Sequence, residues 1–154
     1  MKKIVIVGLG LIGGSLALAL KGFEDYTVVG VARRQTTVDY ALSHGVGDDA
    51  TLDTEGAIRD ADVTFLCINP DDIVTFLARH RDGFKPGSLV TDVCGVKTAI
   101  MAGAEVLPGT VDFIGSHPMA GTEFSGIEHA LHDMFHGAHY IITPRAGSRK
   151  ENIA

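Results

Sequence analysis

The chain has 154 residues, of which 45% are hydrophobic, and its formal net charge is −6 at pH 7. This length and composition predict one folded domain with a sizeable core and exclude a disordered chain. The negative charge argues against non-specific binding to nucleic acid or to an acidic membrane surface, and no apolar run reaches the roughly 18 residues of a membrane span.

The cysteine content and the first residues bear on the compartment in which the protein works. Its two cysteines, Cys67 and Cys94, are too few for a disulfide framework, which favours reduced thiols. The strand-like run KKIVIVG begins at residue 2 and leaves no room for a signal peptide. A cytoplasmic protein is therefore expected.

Short apolar strands alternate with helix-length segments along the chain. The predicted strands cover residues 4–7, 28–31, 63–68, 89–93, 113–114 and 140–143. The predicted helices cover residues 10–21, 37–44, 71–81 and 97–104. This alternation predicts an α/β fold of the Rossmann type, with a doubly wound, mainly parallel sheet and helices on both faces.

Two later segments predict less regular structure. Residues 125–139 carry two glycines and four histidines, and they predict a short helix followed by a loop. Residues 148–154 predict the first turn of a helix, with Ser148 as its cap and Glu151 three residues later.

A glycine-rich run, IVIVGLGLIGGS at residues 4–15, joins the first predicted strand to the first helix. Gly8 would allow the tight turn, Gly10 the approach of a pyrophosphate, and Gly13 the close packing of helix on strand. The free N–H groups at the helix start would hold the phosphates. The other members of this predicted dinucleotide-binding loop are Leu9, Leu11 and Ile12. The alternative is a purely structural glycine turn.

The end of the second strand, VVGVARRQTT, bears on which dinucleotide binds. A site for NAD expects a carboxylate about 20 residues beyond the glycines, whereas this chain has Ala32, Arg33 and Arg34. Guanidinium groups attract a 2′-phosphate through hydrogen bonds of about 1.5–3 kcal/mol each. Thr36 and Thr37 could add hydroxyl contacts. NADP is therefore favoured over NAD, although Arg34 alone could be solvated at a helix start.

The segment Cys67-Ile68-Asn69-Pro70 spans the end of the next predicted apolar strand, residues 63–68. Because ligands bind at the carboxyl ends of parallel strands, this segment is expected to pass along the cofactor, with Asn69 as a polar contact. Pro70 begins the following helix. Cys67 is expected to be a small apolar filler rather than a nucleophile.

Two further strand ends, TDVCGVK at residues 91–97 and GSHPMAGTE at 115–123, should open on the same cleft. Asp92 is expected beside the cofactor. His117 is placed next to a nicotinamide, where an imidazole can take a proton from an alcohol as hydride leaves its carbon. No metal site is expected at the later histidines, because no cysteine or arranged carboxylate accompanies them.

The segments IVIVGLGLIGGSLALAL, FLCINP, TDVCGVK and GSHPMAGTEFSG resemble the nucleotide-binding half of the prephenate/arogenate dehydrogenase family of tyrosine biosynthesis. The resemblance runs over residues 3–144, and HPMAGTE-x-SG is its most specific piece. It implies transfer of a hydride from the ring hydroxyl carbon of prephenate or arogenate to NAD(P)⁺. Loss of the ring carboxylate as CO₂ would then make the ring aromatic.

The resemblance also implies roles for individual residues. His117 would hydrogen-bond the ring hydroxyl and accept its proton, so activity should fall at low pH, where an imidazole is protonated. Thr122 and Glu123 would lie near the substrate entrance, and Glu123 either orients a cationic group or is an exposed carboxylate at a helix start. Lys97 would face cofactor or substrate carboxylates, or would only begin a helix.

Two departures from the family pattern stand out. The family reads D-x-x-S-V-K where this chain has Gly95, so a second hydrogen bond to the substrate hydroxyl is missing or comes from Ser116, water or a backbone group. The family also continues into a helical domain that dimerises and supplies an arginine for the substrate carboxylate. Residues 1–147 would form the NAD(P)-binding domain, and residues 148–154 would lead into that further domain, which this chain lacks.

Three functions remain open at this point. The first is an NADP-preferring dehydrogenase of prephenate or arogenate, between which the sequence does not choose. The second is another NAD(P)-dependent oxidoreductase that acts on β-hydroxyacids or imines. The third is a non-catalytic NADP-binding module. This alternative stays open because Gly95 stands where the family pattern has a serine.

Overall fold

Seven strands and five α-helices make up the computed structural model, which describes residues 1–153. The strands are β1 (Lys2–Val7), β2 (Tyr26–Val31), β3 (Asp49–Thr51), β4 (Val63–Leu66), β5 (Leu89–Asp92), β6 (Asp112–Pro118) and β7 (Tyr140–Pro144). The helices are α1 (Leu11–Leu20), α2 (Gln35–His44), α3 (Thr54–Arg59), α4 (Pro70–His80) and α5 (Thr98–Gly103). Short 3₁₀ turns cover Ala104–Val106, Ile127–His129 and Lys150–Asn152.

The strands form a sheet in the order β3-β2-β1-β4-β5-β6-β7. Neighbouring strands are parallel except β6 and β7, which run antiparallel at one edge. The strand order reverses between β1 and β4, and ligands bind at the carboxyl ends of the strands beside such a reversal. The predicted Rossmann-type α/β fold is confirmed.

Alternate residues of β1 pack into two separate cores on the two faces of the sheet. Ile4 and Ile6 belong to one core, with residues of α1 and α2, whereas Val5 and Val7 belong to the other, with residues of α3, α4 and α5. Because helices cover both faces, β1 reads as a continuous apolar run rather than as an alternating pattern.

The segment that follows β6 returns to the first helix. The Ser15 hydroxyl donates to the Leu11 carbonyl at 2.7 Å and accepts from the backbone N–H of Leu131 at 2.9 Å. A Cβ placed on Gly14 would lie 2.9 Å from the Cβ of Ala130. The first turns of α1 are therefore held from outside by a segment that lies far along the chain.

Two elements, β3 and α3, are missing from the sequence prediction, and β6 extends well beyond its predicted range. β3 has three residues and α3 has six, which is too short for a recognisable hydrophobic period. The Asp53 carboxylate caps α3 by accepting from the Gly56 N–H at 2.9 Å. β6 continues beyond residue 114 because Gly115–Pro118 pair with β7.

The histidine-rich segment at residues 125–139 contains a single short helical element, the 3₁₀ turn Ile127–His129, followed by turns. The predicted short helix is thus a 3₁₀ turn, and the predicted loop after it is present. No helix in residues 1–153 is long and apolar enough to cross a membrane.

The predicted cap at Ser148 is wrong. The Ser148 hydroxyl accepts from the backbone N–H of Arg145 at 3.0 Å, and the later 3₁₀ turn at Lys150–Asn152 begins without a side-chain cap. Arg149 anchors this segment, because its backbone N–H donates to the Asp112 carboxylate at 3.0 Å. Ala154, the last residue of the predicted helical turn, lies outside the described residues.

Candidate functional site

A groove of about 920 Å³ opens at the carboxyl ends of the central strands. Its walls come from the loops after β1, β2, β4, β5 and β6, as the switch-point rule predicts. The predicted site residues that line it are Gly8, Leu9, Gly10, Leu11, Ile12, Ala32, Arg33, Arg34, Cys67, Ile68, Asn69, Pro70 and Gly95. Thr37 lines the groove, whereas the exposed Thr36 lies outside the lining.

A second cavity, of about 770 Å³, lies at the opposite ends of β5 and β6. Two arginines line it, but both already serve the fold. Arg145 donates to the Ala104 carbonyl at 3.0 Å, and Arg149 donates to the Gly87 carbonyl at 2.8 Å. This cavity is far from the residues that carry the predicted chemistry.

The three glycines of the loop after β1 have different surroundings. A Cβ on Gly13 would overlap the Gly8 carbonyl oxygen, and one on Gly8 would lie 2.7 Å from Ile68 Cγ2. Gly8 also has a φ of +96°, which glycine adopts without strain. A Cβ on Gly10 would meet no atom within 4 Å. Gly8 and Gly13 are therefore required by packing, whereas Gly10 leaves free space on the side of the groove.

The amino end of α1 suits an anionic ligand. Gly10 precedes the helix without a side-chain cap, and the first turn carries no acidic residue. The first N–H groups of a helix have no partner within it, and the helix dipole adds positive potential there. This loop thus has both the space and the unused donors that a pyrophosphate requires.

The loop after β2 supplies positive charge to one end of the groove. Arg33 and Arg34 are both exposed, and within residues 1–153 neither forms an ion pair with a carboxylate. Arg79 of α4 lines the same groove and was not singled out from the sequence. The signal that could have found it is the stripe Asp72, Thr75, Phe76 and Arg79, which faces one side at helical spacing.

The two cysteines, both half-buried at the groove, behave as protonated thiols rather than nucleophiles. Burial raises the pKa of the Cys67 thiol, and burial together with the nearby Asp92 carboxylate raises the pKa of Cys94. Both thiols therefore stay protonated at neutral pH. This agrees with a filling role for Cys67. In the part of the chain that the structure describes, no cluster of three or more potential metal ligands occurs.

His117 lies near the carboxyl end of β6 and is half-buried. Its Nδ1 is 3.4 Å from the Val93 carbonyl oxygen, which accepts a long hydrogen bond when Nδ1 carries the proton. In that tautomer Nε2 has the free lone pair. A Cβ on Gly95 would lie 3.5 Å from His117 Cε1 and 3.6 Å from Nε2, so position 95 faces the imidazole. Gly95 lines the groove, whereas His117 lies behind it, outside the lining.

These distances predict the effect of restoring the serine that the family pattern has at this position. A Gly95→Ser side chain has ordinary van der Waals contact with the His117 ring, and Gly95 is exposed. We expect the free energy of unfolding to change by less than about 0.5 kcal/mol. Urea denaturation checks this. A loss of several kcal/mol would show that residue 95 is packed more tightly than the structure has it.

Hydrogen bonds join Asp92, Lys97 and Ser116 to one another, and none of the three residues lines the groove. The Asp92 side chain is fully buried and accepts from Lys97 Nζ at 2.5 Å. The Ser116 hydroxyl is 1% exposed, donates to the Asp92 carbonyl and contacts the Tyr140 hydroxyl at 2.9 Å. Ser116 therefore does not reach the groove and does not replace the missing serine hydroxyl.

Tyr140 was not singled out from the sequence. Burial raises the pKa of its hydroxyl, which stays protonated beside Ser116. Only the antiparallel register that sets Tyr140 opposite Pro118 brings it there, and that register has no signal in the sequence.

Thr122 and Glu123, which were expected near the substrate entrance, do not line the groove. Both residues are exposed, and the Thr122 hydroxyl accepts from the Phe124 N–H at 3.2 Å. Phe124 itself lines the groove and stacks on His129 with ring centroids 4.8 Å apart. The aromatic residue, rather than the carboxylate before it, therefore borders the site.

Together, the parallel sheet with its order reversal, the uncapped helix and the glycine loop define a nucleotide-binding domain of the Rossmann type. The chain belongs to the family described as "Prephenate dehydrogenase, nucleotide-binding domain", which matches residues 16–154.

The names of similar proteins agree with this family assignment. The prephenate dehydrogenase of Lactococcus lactis subsp. cremoris is 35% identical, over 98% of this chain and 43% of its own. The cyclohexadienyl dehydrogenase of Zymomonas mobilis is 32% identical, over 99% of this chain and 53% of its own. The chain therefore spans about half the length of these relatives.

Solved structures show the same architecture. The arogenate dehydrogenase of Synechocystis superposes with a TM-score of 0.89 and 38% identity, over 98% of this chain and 53% of that one. The prephenate dehydrogenase of Aquifex aeolicus, in complex with hydroxyphenyl propionate and NAD⁺, gives a TM-score of 0.87 and 27% identity, over 99% of this chain and 54% of that one.

Proposed function

We propose that this chain is the cofactor-binding part of an NADP-preferring dehydrogenase that oxidises and decarboxylates prephenate or arogenate in tyrosine biosynthesis. The observation that carries the proposal is the position of His117 directly behind Gly95, a residue that lines a groove beginning at an uncapped helix. The arginine for the substrate carboxylate and the dimer contact belong, on this proposal, to the further half of the longer family proteins.

The groove suits a pyridine dinucleotide at three points. The N–H groups at the start of α1 would hold the pyrophosphate over Gly10. Asn69 and the backbone after β4 would follow the dinucleotide across the sheet. Arg33, with Arg34 and Thr37, would bind a 2′-phosphate, which a carboxylate at this strand end would repel.

His117 would perform the proton transfer. When bound, the oxidised nicotinamide supplies the acceptor for the hydride that leaves the hydroxyl-bearing carbon of the substrate. The neutral imidazole accepts the hydroxyl proton at Nε2, while the Val93 carbonyl holds Nδ1–H. The substrate carboxylate is then lost as CO₂, and the gain of aromaticity makes the reaction effectively irreversible.

The cofactor preference is tested by calorimetric titration of the chain with NADP⁺ and, separately, with NAD⁺. We expect NADP⁺ to bind more tightly, and Arg33→Ala to weaken NADP⁺ binding by about 10- to 100-fold, the equivalent of one charge-assisted hydrogen bond. The affinity for NAD⁺ should change little, because NAD⁺ has no 2′-phosphate for Arg33 to bind.

The control for this titration is Arg59→Ala, which removes an exposed arginine outside the groove lining and should leave both affinities unchanged. Equal or tighter binding of NAD⁺ by the parent chain would contradict the NADP preference. Failure to bind either dinucleotide would contradict the cofactor site itself.

A further inference from the structure

A single buried carboxylate connects the loop after β5 to the strand that carries His117. Asp92 Oδ2 accepts from the backbone N–H of Cys94 at 2.9 Å, and its Oδ1 accepts from the backbone N–H of Ser116 at 3.2 Å. Cys94 lies between Val93, whose carbonyl contacts the imidazole, and Gly95, which faces it, and Ser116 directly precedes His117. The Asp92 carboxylate therefore holds the backbone directly before His117 and the backbone between Val93 and Gly95.

Lys97 completes this arrangement from the opposite side. Its stem crosses Gly115, where a Cβ would lie 2.9 Å from Lys97 Cδ. Its Nζ contacts Asp92 Oδ2 at 2.5 Å and also donates to the carbonyls of Cys94 and Val96. The ammonium has three donors, and these three acceptors occupy them, so none is left for a substrate or cofactor carboxylate.

We infer that Asp92 and Lys97 are a positioning pair, which holds the loop at residues 93–97 against His117 and keeps the imidazole in its Nδ1–H tautomer. The pair does not touch substrate. The inference rests on the proposed function in one respect, that His117 is the proton acceptor whose orientation matters.

Because the two side chains carry opposite charges, removing either one should change the protonation of His117, which a purely structural role would not predict. Paired, the buried carboxylate and ammonium present no net charge to the imidazole. Lys97→Met would leave a buried negative charge, which favours the imidazolium, whereas Asp92→Asn would leave a positive charge, which disfavours it. Cys94, which adjoins Val93 and Gly95, and Tyr140, which contacts Ser116, stay neutral at the pH of interest because burial raises the pKa of each.

Nuclear magnetic resonance of the histidine side chains tests this on the chain itself, without cofactor or substrate. The His117 signals are identified by their loss in His117→Asn. We expect the parent to show the Nδ1–H tautomer. The pH of half-protonation should rise by about one unit in Lys97→Met and fall by about one unit in Asp92→Asn, because each variant leaves one member of the pair without its counter-charge.

Shifts in the same direction, or none, in variants whose circular dichroism is native would overturn the inference. Should an unpaired buried charge prevent folding, the double variant Asp92→Asn/Lys97→Met carries neither charge. It should keep the parent's half-protonation pH but populate both tautomers, and retention of the Nδ1–H tautomer alone would also overturn the inference. A failed dinucleotide titration, by contrast, would contradict only the proposed cofactor site.

Discussion

Alanine at Gly10 is expected to remove most dinucleotide binding while leaving the fold intact. A Cβ at this position meets no protein atom within 4 Å, so the free energy of unfolding should stay within about 1 kcal/mol of the parent value. The same Cβ projects into the space that the pyrophosphate would occupy. Binding should weaken by roughly 1–3 kcal/mol, or about 5- to 150-fold, which calorimetric titration with NADP⁺ measures.

Gly13→Ala is the matched comparison, because its Cβ would overlap the Gly8 carbonyl oxygen. Gly13 lies in the first turn of α1 and Gly8 directly follows β1, so neither can yield without moving α1 from β1. We expect this variant to lose about 3 kcal/mol or more of unfolding free energy in urea denaturation, together with dinucleotide binding. Parent-like affinity in Gly10→Ala would mean that no phosphate lies over this glycine.

Asparagine at His117 is expected to abolish most turnover without weakening dinucleotide binding. In a dehydrogenase that combines this domain with the further half that its relatives carry, kcat should fall about 10²- to 10⁴-fold, the usual contribution of a positioned general base. Titration with NADP⁺ should give the parent affinity, because no step of cofactor binding uses the imidazole. Assays with prephenate and with arogenate, run separately, also show which of the two is the substrate.

The control is His132→Asn, which changes an exposed histidine in the segment after β6 and should leave turnover unchanged. Survival of turnover in His117→Asn would show that another group accepts the proton. Absence of turnover with either substrate in the parent protein would favour the non-catalytic NADP-binding alternative.

The fold could be predicted from the sequence because its long elements have strong patterns. The runs around Ile4–Val7 and the helix after Pro70 are continuous or periodic over enough residues to be recognised. β3 could not be found in the same way, because three residues with one buried side chain carry no period. The antiparallel strand β7 was found as a strand, but its position beside β6 depends on pairing between distant residues.

The site could be predicted where a local motif places the backbone. The glycine loop and the polar residues after β2 and β4 line one groove, as the strand ends require. The side chains of Ser116 and Lys97 could not be placed, because their directions depend on the buried Asp92 between them. A polar residue next to a histidine in the sequence can either hydrogen-bond within the protein or face a ligand. Sequence spacing does not distinguish these two orientations.

The hydrogen bond between Ser15 and Leu131 has a consequence for the order of events during synthesis. The two residues are separated by 116 positions, so at translation rates of about 5–20 residues per second the first helix leaves the ribosome roughly 6–20 s before this partner. During that interval the Ser15 hydroxyl and the face of Gly14 lack the cover that they have in the finished domain. The nascent glycine loop and first helix thus become fully supported only after the strand that carries His117 has also been made.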